Sequence, residues 1–289
     1  MQKMKSVRFL SLAFLLATSL VLMHSCMTFR MSDAKVERKF QEAGLQAHIQ
    51  RFEVEGYNHT VRVVSAPVDA VKQTAVFFVH GAPGSSQDFY RFLQDSALLA
   101  RANLYSVDRP GYGYSNFGKA EVSVQRQAQI VAAIINQLPE KEVMVVGHSF
   151  GGPIAPLAGL YTDKLVAAIM LAPAIDPEHE KILKIAYLGK WKATRWLVPK
   201  AMRVAADEKF GHAAALRAVQ PFWSQLQMPV WHYHGTKDVL VPYENLAFAA
   251  GVFDSTRFTP ITLEGENHFL PWSQYDLIRE QLLKMLQAL

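Results

Sequence analysis

From residue 46 onward, short apolar runs alternate with segments whose apolar residues recur every three or four positions. "AHIQRFEVEG" (47–56) and "HTVRVVSAP" (59–67) read as two strands joined by a turn at Gly56, Tyr57 and Asn58. "TAVFFVHG" (74–81) is apolar on successive residues and rich in β-formers, which predicts a parallel strand buried on both faces. A helical stretch follows over 86–100, then the strand "NLYSVDRPG" (103–111). Over 123–138 the residues Val124, Ile130, Val131, Ile134 and Leu138 share one helical side, with Ser123 as the N-cap. "KEVMVVGHS" (141–149) is a strand leading into a helix over 150–161. "KLVAAIMLAPA", "MPVWHYHG" and "RFTPITLEG" supply three more strands, and 274–289 a closing helix. This order predicts an α/β fold, a mostly parallel sheet covered by helices on both faces.

The alternation stops between 175 and 227, where the text turns helical, basic and Trp-bearing. Such an insertion at the C-terminal edge of a sheet predicts a cap, at about 176–227. Within it, "KILKIAYLGKWKATRWLVPKAMR" (181–203) carries Lys181, Lys184, Lys190, Lys192, Arg195, Lys200 and Arg203 without one acid, among Ile182, Leu183, Ile185, Leu188, Trp191, Trp196 and Leu197. Two compatible readings follow. The stretch is a lid with a solvated basic side, or a face suited to an anionic membrane.

Ahead of residue 46 the pattern differs. Lys3, Lys5 and Arg8 precede an apolar stretch over 9–23, short for a membrane span and suited to an export signal. Cys26, the only cysteine, follows directly. The arrangement resembles a bacterial lipoprotein signal in which Cys26 is the lipid-attachment site, although Met23, His24 and Ser25 depart from the usual Leu and small residues. An uncleaved anchor and ordinary secretion stay open. The expected layout is a signal at 1–25, a tether at 26–45 that includes a short helix, and one domain at 46–289, lipid-anchored in the cell envelope. Removal of 1–25 takes three positive charges from a formal +5. What remains gives no reason to expect nucleic acid as a partner. One cysteine allows no internal disulfide.

"VVGHSFGGP" (145–153) supplies candidate chemistry. G-x-S-x-G between a predicted strand and a predicted helix reads as a tight turn that lifts the Ser149 hydroxyl above the sheet. A Cβ at Gly147 or Gly151 is expected to collide with the crossing segment. A serine needs an oriented base. Asp238 in "HGTKDVLVP" and His268 in "LEGENHFLPW" follow two later strands, on the same sheet edge as Ser149. Asp176 in "APAIDPE" is the alternative acid. His148 is expected to pack or contact backbone, and His232 and His234 to be structural. His59, His179 and His212 show no partner pattern. Backbone N–H groups to hold a developing oxyanion are expected from Phe150 and Ala82, with His80 as a buttress.

"HGAPGS", "DRPGYGYS", "GHSFGG" and the Asp238/His268 pair, in this order, resemble the α/β-hydrolase superfamily over roughly 46–289, in the branch with a helical cap after the sixth strand. The resemblance implies acyl transfer to water through an acyl-Ser149, with no cofactor and no metal, on a small-molecule or lipid-like ester. It implies structural roles for Asp108 and Arg109. Dehalogenases and epoxide hydrolases of this branch carry aspartate at the position of Ser149. An acyltransferase, a perhydrolase, an aminopeptidase for small residues and a non-catalytic binding module are the alternatives.

Overall fold

Residues 29–289 are described in a computed structural model. The expected signal, 1–25, and Cys26 lie outside the described residues. Eight strands form one sheet: β1 (His48–Val54), β2 (Tyr57–Ser65), β3 (Thr74–Val79), β4 (Asn103–Val107), β5 (Glu142–His148), β6 (Leu165–Leu171), β7 (Val230–Gly235) and β8 (Phe258–Leu263). Their order is β1-β2-β4-β3-β5-β6-β7-β8, with the β1–β2 and β2–β4 pairs antiparallel and all others parallel.

The central strands are apolar throughout because each face meets a different layer. Ala75, Phe77 and Val79 enter one core with α2 (Val124–Gln137) and α3 (Gly151–Leu157). Val76 and Phe78 enter the other with α1 (Asp33–Glu42) and α6 (Tyr275–Ala288). Period-2 geometry sends successive residues to opposite faces, so neither set can be polar. Val36 and Phe40 of α1 are fully buried, so the packed core reaches back ahead of residue 46.

Several local expectations shift. The first hairpin turns at Glu55 and Gly56, since Tyr57 already pairs with Val54 and Gly56 alone takes a left-handed φ of +69°. The stretch 86–100 is broken into short pieces because the Asp95 carboxylate caps the N–H groups of Ala97 and Leu98 and starts a new turn. An unanticipated helix, α5 (Glu244–Val252), links β7 and β8. Its sequence ENLAFAAGV is too uniformly apolar to show a helical period. Between β6 and β7 the cap comprises the short turns Ala186–Lys190 and Lys192–Arg195 and the long helix α4 (Lys200–Val219). No described helix is long and apolar enough to cross a membrane.

Candidate active site

The site begins at the bend between β5 and α3. Ser149 has a φ of +54°, in the left-handed region that a Cβ disfavours. Its own backbone holds it there. Ser149 N–H donates to Leu171 O at 2.9 Å, and Ser149 O accepts from Ala174 N–H at 3.1 Å and Gly152 N–H at 2.9 Å. The glycines either side allow this packing by lacking a side chain. A Cβ at Gly147 would stand 2.2 Å from Gly151 O, and one at Gly151 would stand 2.4 Å from Val79 O.

Two loops leave the same sheet edge and are fastened together. Thr236 N–H reaches Leu263 O at 3.1 Å and Lys237 N–H reaches Glu266 O at 2.8 Å. Gly235 makes the approach feasible, since a Cβ there would lie 2.3 Å from Glu266 O. This fastening brings Asp238 beside His268, with His268 Nδ1 2.7 Å from Asp238 Oδ2. The other carboxylate oxygen accepts from Leu240 N–H at 2.9 Å and Val241 N–H at 2.8 Å. Burial alone would raise the Asp238 pKa. Its contacts with His234 and His268, with the Val241 N–H, outweigh that and hold it well below the usual carboxylate range. Asp238 is therefore an anion at neutral pH, placed to accept a hydrogen bond from His268 Nδ1.

Ser149 and His268 line one cavity of about 480 Å³. The ring's hydrogen-bonded side-chain partner is Asp238, and no hydrogen bond joins it to the Ser149 hydroxyl here. The alternative acid is engaged elsewhere: Asp176 Oδ2 lies 2.6 Å from His179 Nδ1, and its Oδ1 accepts from Glu178 N–H at 2.8 Å. His148 donates from Nε2 to His268 O at 3.0 Å, tying the two loops of the site together. Burial, aided by the neighbouring His268, pushes the His148 pKa down to about 3, so it stays neutral. His212, which showed no partner in sequence, stacks on Phe150 at 4.2 Å and meets Glu180 Oε1 at 2.6 Å.

Ala82 and Phe150 also line the cavity. Neither of their N–H groups is hydrogen-bonded to another backbone group. The peptide that carries the Ala82 N–H is held from behind. Gly81 O accepts from His80 Nδ1 at 2.7 Å and from Arg109 Nη2 at 2.9 Å. His80 can donate from Nδ1 because its Nε2 accepts the Arg109 N–H at 2.9 Å. Two donors on a carbonyl orient and polarise the N–H at the far side of the same peptide. Arg109 also donates from Nε to His80 O and from Nη1 to Gln127 Oε1 and Glu208 Oε1. This role of Arg109 and Glu208 went unread in the sequence. An acid in mid-helix gives no signal of a partner 99 positions away.

The remaining wall is largely apolar and comes mostly from the cap, with Leu183, Ile185, Leu188, Leu197, Val198 and Met202, and in part from Leu240 and Val241 after β7. Its charged members are Lys181 and Lys209, with no carboxylate. Lys209 is paired with Glu180, and Lys181 Nζ donates to Val239 O at 2.7 Å. Among the described residues, no group of three or more His, Cys, Asp or Glu is arranged to hold a metal ion.

Comparison with known proteins agrees with this geometry. Residues 74–197 match the family described as alpha/beta hydrolase fold. The chain is 30% identical over 124 residues to the uncharacterized hydrolase YugF of Bacillus subtilis, covering 43% of each protein. It is 24% identical over 176 residues to the lipase LipV of Mycobacterium tuberculosis, covering 52% of this chain and 66% of LipV. The chain thus spans less than two thirds of either relative. A solved bacterial membrane phospholipase A superposes with a TM-score of 0.61 at 18% identity, over 98% of this chain and all of that one. Strand order, the sharp bend at Ser149, the cap between β6 and β7 and these matches lead to one conclusion: the chain is an α/β-hydrolase-fold protein.

Proposed function

We propose that the protein hydrolyses carboxylic esters through an acyl-Ser149 intermediate. The observation that carries this reading is the 2.7 Å contact of His268 Nδ1 with Asp238, in a cavity that His268 shares with Ser149. Ser149 Oγ attacks the ester carbonyl while His268 Nε2 takes its proton. Asp238 keeps the imidazole in the required tautomer and stabilises the imidazolium that forms. The N–H groups of Ala82 and Phe150 receive the negative charge on the carbonyl oxygen. The protonated His268 then releases the alcohol, and water activated by the same ring frees the acid. The contact between Ser149 and His268 closes when substrate is bound, as such hydrogen bonds often do.

The acyl or aromatic part of the substrate lies against the apolar cap wall. A wall without carboxylates offers nothing to a substrate ammonium, which disfavours the aminopeptidase alternative. An intact serine, imidazole and carboxylate set disfavours a silent binding module. The protein is read as held at the cell envelope by lipid on Cys26, on the strength of its N-terminal sequence.

Labelling with a fluorophosphonate probe, together with a panel of p-nitrophenyl esters of increasing chain length, tests the reading. Labelling should vanish in Ser149→Ala, and medium-chain esters should exceed acetate in kcat/KM. Labelling that persists in Ser149→Ala, or no turnover of any ester, overturns it.

A further inference from the structure

Large apolar side chains on the surface of a soluble protein are normally scattered. Here Leu183, Ile185, Tyr187, Leu188, Trp191 and Trp196 are all exposed within one short stretch of the cap, the two tryptophans at 60% and 62%. Lys184, Lys190, Lys192 and Lys200 are exposed on the same stretch, and among the described residues none of them forms an ion pair. By contrast, Arg195 is spent on Asp207 at 2.6 Å. Four cations outside any ion pair, Lys190 also lying over the Phe210 ring at 5.5 Å, are interleaved with tryptophan and aliphatic side chains and complement one kind of surface, an interface with anionic head groups above hydrocarbon.

Two further features point the same way. Leu183, Ile185 and Leu188 are exposed and also line the cavity, so the apolar surface continues into the site. At the start of the described chain, Phe29 packs on a cluster of Tyr112, Ala201 and Val204, the last two on the cap helix α4. Cys26 is three residues ahead of it, and three residues reach at most ~11 Å. A lipid on Cys26 would join the chain just ahead of this contact with the cap helix.

We propose that the outward face of residues 183–197, with Lys200, docks on an anionic lipid surface and sets the cavity mouth against the bilayer. Docking stands independently of the ester-hydrolase reading; delivery of a lipid-borne ester to Ser149 rests on it.

The test uses the full chain and vesicles of phosphatidylcholine, with or without phosphatidylglycerol, carrying brominated acyl chains that quench tryptophan. All five tryptophans lie beyond residue 190, so an N-terminal anchor is silent in this signal. Quenching should occur on the anionic vesicles, weaken with salt, and vanish in Trp191→Phe/Trp196→Phe. Reversal of Lys184, Lys190, Lys192 and Lys200 to Glu should raise the lipid needed for half-quenching at least ~10-fold. Turnover of a soluble p-nitrophenyl ester should be unchanged in that variant, which also reports its folding. Equal quenching on both vesicle types, quenching that survives the Trp substitutions, or none at all overturns the proposal. Quenching without fluorophosphonate labelling of Ser149 would leave docking intact and remove only the catalytic reading.

Discussion

Arg109, on the loop after β4, and Glu208, on the cap helix α4, form a fully buried two-pronged pair, Nη1 2.7 Å from Oε1 and Nη2 3.2 Å from Oε2. All five N–H donors of the guanidinium are used, three on the cap and α2 side and two on the carbonyls of His80 and Gly81. The residue that orients the Ala82 peptide is thus clamped by the cap. Glu208→Ala strands a buried cation and should cost ~3–5 kcal/mol of stability by denaturant unfolding. Arg109→Lys keeps the charge but loses the fork. It should lower kcat up to ~100-fold, with KM for a short ester little changed, as expected for loss of an oriented oxyanion donor. A change confined to KM would contradict this assignment.

The two candidate acids are separable. Asp238→Asn should lower kcat by ~10³–10⁴-fold through the wrong imidazole tautomer. Asp176→Asn should leave kcat within a few-fold, because that carboxylate holds His179 and the Glu178 N–H. Steady-state kinetics on one soluble ester decides between them, and the reverse ranking would make Asp176 the acid.

Ser149 is held at a φ of +54°. A glycine tolerates that angle better than an alanine, so Ser149→Gly should be more stable than Ser149→Ala by about 1 kcal/mol, with neither expected to turn over ester. Chemical denaturation of the two variants measures the difference. Equal stabilities would mean that the bend stores no strain.

Burial pushes the Asp88 carboxyl up to about 7, against the opposing Ser85 backbone hydrogen bond. A carboxyl whose folded pKa is raised costs stability increasingly as pH climbs from ~3.9, its unfolded value, toward 7. Asp88→Asn removes that cost. Its melting temperature should exceed that of the unsubstituted protein more at pH 8 than at pH 5. An equal gain at both pH values would place the Asp88 carboxyl in ordinary titration.

The sheet was readable because β3, β5 and β6 are buried on both faces and show it as unbroken apolar runs. The bend at Ser149 was readable because one of its steric contacts, Gly147 on Gly151 O, lies within a few residues and shows as the G-x-S-x-G spacing. What escaped notice depends on distant pairing. His212 meets Glu180 and Arg109 meets Glu208 only once the cap is in place. Helix α5 escaped for another reason: residues 244–252 are too apolar to carry a period.

The burial of α1 has a practical bearing on how this protein is cut for expression. Phe40 packs edge-on against Tyr90 at 5.3 Å, and Asp33 lies 3.2 Å from the guanidinium of Arg62, itself 1% exposed. A version started at residue 46, where the text first looks like a domain, would bare a greasy trench and leave the interior Arg62 with Asp108, at 3.3 Å, in place of two carboxylates. One begun near residue 29 keeps both covered, so the choice of start site decides whether a recombinant sample stays in solution.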